Sequence, residues 1–344
     1  MRQTNKIRKG IAWLLCTVLV LGILPMLPQM SMQISAAENA ASVFVDGVEL
    51  HAGGKKYFKN GDTADSGATG TDEDHSAYYD TAGELWLNNL EAHTIKANGN
   101  LTIYVCNNQE TNTNIVTATQ NETAIEVTGY LTIQYGGYGE TGSLTVESDG
   151  KEAIQAGSGM TVSDGVEVKV RAKSGATAIS SGGVLKIDGI RTKLEAASDG
   201  STGKGIFAQQ SIYVKNSAVL TAFGGAAAYE SPSGIDKSGY GYEDYNVFTG
   251  DAAPGTQAAK DTALDGYKYI RIEPTGVANV KTLTELQAAA QNQYISLINV
   301  MNDITITDTV YVRRAVTIQS PDVSNVSKLI RGKSHTDVIL DFDG

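Results

Sequence analysis

The chain has 344 residues, of which 38 are acidic and 27 basic, and its formal net charge is −11 at pH 7. An acidic chain with no basic cluster excludes nucleic acid and anionic membranes as expected partners. Abundant glycine (37) beside scarce proline (6) suits many short strands joined by tight turns.

Residues 1–37 read as a secretory signal peptide. Arg2, Lys6, Arg8 and Lys9 precede an apolar run from Ile11 to Leu27, and Ser35 and Ala37 supply the small residues of a cleavage site. Pro25 and Pro28 break the run before a comfortable membrane span of roughly 20 residues. Cleavage removes four basic and no acidic residues, so the charge goes from −11 to −15. The protein is therefore expected outside the cell, at the cell surface, with no membrane insertion after signal cleavage. Cys16 leaves with the signal. Cys106 then stands alone, with no partner for an internal disulfide, and is expected as a small buried hydrophobe.

Residues 38–92 are expected to form an N-terminal cap segment. Leu85 and Leu87 flank Trp86 in strand alternation, so this piece pairs onto the first coil and covers an open edge. The cap also holds the densest acidic stretch, with Asp62, Asp65, Asp72, Glu73, Asp74 and Asp80 in a Gly/Thr-rich loop. Hard oxygens on a loop suit Ca²⁺, which makes the first five candidate metal ligands and calcium the one cofactor considered. The spacing matches no EF-hand or nonapeptide repeat, and a solvated polar loop is the alternative.

Residues 93–274 carry the repeat that decides the fold. TIKANGNLTI, AIEVTGYLTI, AIQAGSGMTV, AISSGGVLKI and GIFAQQSIYV align without a gap. In every copy an Ile (95, 125, 154, 179, 206) is followed six residues later by Leu, Met or Ile, and two beyond that by Ile or Val. Period two around a turn is strand chemistry, and intervals of 25 to 30 residues match one coil of a solenoid. Each unit is too small to bury its own apolar side, so stacking puts Ile on Ile and Leu on Leu. The expected fold is all-β, a right-handed parallel β-helix. Asp164, Asp188 and Asn216 sit after the second apolar position and are read as turn residues.

A Tyr/Gly-rich insertion is expected at 229–266, a closing strand from Tyr267 to Pro274, and a linker at 275–279. At 280–344 a second β-helix begins. Thr282-Leu-Thr-Glu285 is a capping box opening a short helix through Gln291. Strands are expected at Tyr294–Ile298, Asp303–Ile306, Val310–Val312 and Val316–Ile318. Because the chain stops just after an apolar run at Asp341-Phe-Asp-Gly344, this second β-helix is expected to be truncated.

The order VDGVEL, YFKNGD, YYDTAGELWLNN, LTIYV, AIEVTGYLTI and SLTVES, followed by repeated AI…LTI units, resembles Gram-positive bacterial surface proteins of the carbohydrate-binding-domain or pectin-lyase-like β-helix type. The resemblance covers about 43–274, and 280–344 separately resembles the start of pectin-lyase-like β-helices. It implies fold more than activity, since β-helices host lyases, hydrolases, adhesins and inert stalks alike.

No catalytic residue emerges. Lyase chemistry on such a fold needs in-register carboxylates holding Ca²⁺ near an Arg or Lys base. The residue after the repeat Ile runs Lys96, Glu126, Gln155, Ser180 and Phe207, which is no acidic column. For ligand binding, the aromatic candidates are Trp86, turned outward by alternation or else covered by the cap, Tyr135 and Tyr138 in a Gly-rich turn, and Tyr240, Tyr242 and Tyr245 in the insertion. Three functions follow in order: a non-catalytic glycan-binding or adhesive surface module, a structural stalk, and a polysaccharide lyase or hydrolase.

Overall fold

A strand whose alternate residues are Ile, Leu and Val must bury one side, and stacked coils provide the only cover these short repeats have. A computed structural model describes residues 38–342 except 52–55, 107–112, 120, 138–141, 313, 323, 325 and 333–339. The assigned signal peptide lies outside the described residues. Five full coils each give one strand to each of three parallel sheets. The first coil is Ile95–Ala97, Leu101–Cys106 and Asn114–Ala118, and the fifth is Lys204–Ala208, Ile212–Lys215 and Val219–Gly224. Cap and second segment included, the described chain makes a β-solenoid of about 9 turns.

Register follows the repeat residue for residue. Ile95, Ile125, Ile154, Ile179 and Ile206 are cross-strand neighbours on the first sheet. Leu101, Leu131, Met160, Leu185 and Ile212 align on the second, and Leu144, Val168, Leu194 and Leu220 on the third. All are buried in one continuous core. Coils approach backbone to backbone at their corners: a Cβ on Gly182 would lie 1.9 Å from the Gly157 carbonyl oxygen. Asp164 (φ 58°) and Asn216 (φ 52°) take the left-handed turn conformation that Asx tolerates.

At the N-terminal end, Ser42–Val45 pairs antiparallel with Val48–His51 and with Ile95–Ala97. Lys56–Phe58, Ala77–Tyr79 and Glu84–Asn88 form an antiparallel meander on the second sheet, and Glu84–Asn88 runs parallel to Leu101–Cys106. Glu91–Ala92 likewise pairs parallel with Asn114–Ala118. Coil geometry therefore starts at Glu84, ahead of the expected boundary at 93, because the strand is already parallel to its successor.

The insertion at 229–266 is partly solenoid. Ala227–Glu230 and Ile235–Asp236 extend the first two sheets in parallel, and a hairpin of Glu243–Gly250 and Thr256–Ala258 adds to the third. No linker exists at 275–279. One strand, Tyr269–Val280, runs through it, antiparallel to Val219–Gly224 in its first half and parallel to Leu297–Val300 in its second. Backbone pairing along both halves leaves no free hinge.

Beyond it, Thr282 and Glu285 form a reciprocal capping box on the helix Leu283–Gln291. Two coils follow, Leu297–Val300, Ile304–Ile306 and Val310–Val312, then Thr317–Gln319, Leu329–Arg331 and Leu340–Phe342, paired strand on strand. They share a second core with Leu286, Ala289 and Ala290 of the helix. Arg314 donates to the carbonyls of Ala289 and Asn292, placing its cation at the negative end of the helix dipole. The two cores meet at a buried polar knot. The Glu243 carboxylate accepts from Ser217 Oγ (2.8 Å) and Asn292 Nδ2 (3.0 Å), and Asn292 Nδ2 also donates to Ser217 Oγ (3.0 Å). Among the described residues no helix is long and apolar enough to cross a membrane.

Candidate functional site

On the second sheet aromatic side chains from several strands gather on the outer surface. Alternation sends Leu85 and Leu87 into the core and Glu84, Trp86 and Asn88 outward. Antiparallel pairing sets Tyr57 opposite Tyr78 and Tyr78 opposite Trp86, and parallel pairing sets Trp86 beside Tyr104. The four half-buried rings form a column. Trp86 lies 4.1 Å from Tyr104 at 9° between planes and 5.9 Å from Tyr78 at 3°, and Tyr57 lies 5.8 Å from Tyr78, tilted. His75 packs its ring 5.1 Å from Tyr57 and edge-on to Tyr78 at 5.2 Å.

Carboxylates hold the polar ends of these rings. Asp80 accepts from the Trp86 indole N–H (3.1 Å) and from the backbone N–H groups of Ala82 and Glu84 (both 2.9 Å). Tyr57 donates to Asp72 (2.7 Å) and Tyr104 to Glu84 (3.3 Å). Burial raises the Glu84 carboxyl above its ordinary range, and the neighbouring Asp80 charge adds to that. Burial, followed by the Glu84 charge, raises the Tyr104 phenol. Beside the column opens a polar groove of about 480 Å³, lined by Lys59, Asn60, Asp74, His75, Asn88 and Asn89 among others. Aromatic surface edged by amides, an ammonium and carboxylates is the mixture that orients a polyhydroxylated ligand.

The structure scatters the other expected aromatics. Tyr135 packs half-buried against the first core, and Tyr138 lies outside the described residues. Tyr240 is 2% exposed, donates to the Ala218 carbonyl and stacks on Tyr245 at 4.7 Å. Tyr245 packs on the first core and Tyr242 on the second. Tyr240 is therefore core packing with a satisfied hydroxyl, and Tyr242 and Tyr245 lie half-buried against the two cores.

The expected calcium ligands do not converge either. Asp62 is buried and accepts from the N–H groups of Lys59 (2.8 Å) and Thr69 (2.9 Å) and from the Thr69 hydroxyl. Burial pushes its carboxyl up, and those hydrogen bonds outweigh this and hold it below the ordinary range. Asp72 serves Tyr57 and Asp74 pairs with Lys59, while Asp65 and Glu73 are exposed. Among the described residues no three His, Cys, Asp or Glu side chains are grouped to hold a metal ion. Asp62 thus serves its own loop and Asp72 the column.

The cations and carboxylates expected of lyase chemistry are engaged with one another at several places on the described coils. Arg171 pairs with Asp199 (2.7 Å), Arg191 lies over the Tyr294 ring at 5.4 Å, and Asp188 sits among Lys186, Lys215 and Asn216. Cys106 is half-buried, and burial pushes its thiol up to about 11. Sequence reasoning found Trp86 and missed Tyr57, Tyr78 and Tyr104. Tyr104 was legible, standing two residues past the outward Thr102, whereas Tyr57 and Tyr78 reach the column only through the meander.

Residues 277–343 match the family model described as "Putative pectate lyase-like adhesive domain". That stretch spans the capping helix and the two coils of the second segment, and the aromatic column lies outside it. No curated protein matches the chain, and no solved structure does.

Proposed function

We propose that this protein is a secreted, cell-surface adhesive module that binds glycan and carries out no catalysis. The observation that carries the reading is the outward column of Tyr57, Tyr78, Trp86 and Tyr104 beside the polar groove. Sugars have apolar C–H faces and hydroxyl edges, so they bind where aromatic surface meets amides and charged hydrogen-bonding groups. The family described as adhesive, matched by the second segment, supports the adhesive part. The N-terminal leader pattern supports export. Among the described residues both coil arginines are engaged, Arg171 with Asp199 and Arg191 over Tyr294, which counts against the lyase reading.

The test is retention of the purified chain on insoluble plant, mucin and cell-wall polysaccharides, with Trp86→Ala beside it. Saturable retention on at least one polymer, lost in Trp86→Ala while the circular dichroism spectrum is kept, is the expected result. Retention on none sinks the glycan reading. It would favour a stalk, for which the stacked rings simply brace the cap against the first coil.

A further inference from the structure

The aromatic column and its groove are one-sided in charge, and this bears on which glycans they take. Asp72, Glu73, Asp74, Asp80 and Glu84 contact the column or line the groove, against one ammonium, Lys59, which is itself paired with Asp74. Among the described residues Asp72, Glu73, Asp80 and Glu84 have no cation in ion-pair range. Among the described residues the outward carboxylates do not gather in threes to hold a metal ion. His75, the other titratable ring here, bonds Thr71 O through Nδ1 (3.1 Å) and sits on Tyr57 and Tyr78.

Resting on the glycan reading above, we infer that the ligand is an uncharged hexose polymer, and that polyuronates and sulfated glycans are excluded from this groove. The outer edges of the stacked indole and phenol rings meet the apolar patches of the sugar. Asn60, Asn88 and Asn89 flank its hydroxyl edges, and the carboxylates accept from the hydroxyls that a neutral hexose keeps at its unlinked positions. A uronate offers an anion where the protein already has several. A like charge about 4 Å away across water costs about 1 kcal/mol, or roughly fivefold in affinity. Two such contacts therefore cost roughly 25-fold. That repulsion is screened when the Debye length shrinks to about 3 Å at 1 M salt.

The experiment is affinity electrophoresis of the full chain through gels containing a neutral glucan, a neutral mannan, polygalacturonate with chelator, or chitosan, at low and at high salt. Expected is retardation by a neutral polymer, with polygalacturonate at least tenfold weaker at low salt and the gap narrowing at high salt. Glu73→Lys, which puts a cation in place of an exposed carboxylate of the groove, should raise retardation by polygalacturonate at low salt, and no rise overturns the charge argument. Retardation by polygalacturonate equal to or stronger than the neutral polymers, abolished by Trp86→Ala, overturns this inference and leaves the glycan reading standing. Retardation by chitosan alone overturns it in favour of a cationic ligand. Retardation by no polymer overturns both.

Discussion

Glu243 is the most informative single residue to change. It is 7% exposed, it joins the first core to the second, and its partners are hydroxyl and amide donors rather than cations. Burial raises its carboxyl above the ordinary glutamate range, more than the hydrogen bonds from Ser217 and Asn292 lower it. Since the folded state then holds the proton more tightly than the unfolded chain, stability falls as pH rises from the unfolded glutamate value through the folded one, and is greatest on the acid side of that window. Glu243→Gln removes this slope. Its carbonyl still accepts from Asn292, and its amide can donate to Ser217, so the cost at neutral pH is expected within about 1 kcal/mol of zero. Glu243→Ala leaves the buried Ser217 hydroxyl without its acceptor and Asn292 Nδ2 with Ser217 alone, at about 1–3 kcal/mol each, or roughly 2–6 kcal/mol together. Urea titrations of the three proteins across pH 4 to 8 measure both effects. A pH slope retained in Glu243→Gln, or a Glu243→Ala variant as stable as the parent, would refute the assignment of this carboxylate as the buried link between the cores.

Three further predictions follow from particular contacts. Ile154→Ala, in the middle of the in-register isoleucine row, should cost about 2–5 kcal/mol in denaturant titration, whereas Thr132→Ala on the outward side should stay within about 0.5 kcal/mol. Equal effects would mean the row is not the core. Thr282→Ala removes one arm of the capping box and should lower stability by about 1 kcal/mol, measured by thermal denaturation. The Cys106 thiol, pushed up to about 11 by burial, should be alkylated slowly at pH 8, with the rate climbing as pH approaches 11; fast labelling at pH 7 would contradict it.

How much was legible depends on whether a contact repeats. In a solenoid, each residue's neighbour lies one coil away, so the period in the chain is the register in space, and Ile95 through Ile206 could be aligned before any coordinates. The capping box at Thr282 was equally readable because its two hydrogen bonds span only three residues. Alternation likewise put Trp86 on the outer surface. What it could not show was company. Tyr57 and Tyr78 reach Trp86 through antiparallel pairings set by the turns of a non-repeating cap, and a slip of one residue in either strand would send those rings inward. The knot of Ser217, Glu243 and Asn292 joins residues 75 apart at its ends, and the supposed linker is one continuous strand because both its halves are paired. The sequence by itself determined the coil, because local periodicity and burial are enough to stack it. Only the tertiary structure decided the aromatic column and the junction, because both depend on where the chain leaves the repeat and returns to pair with itself.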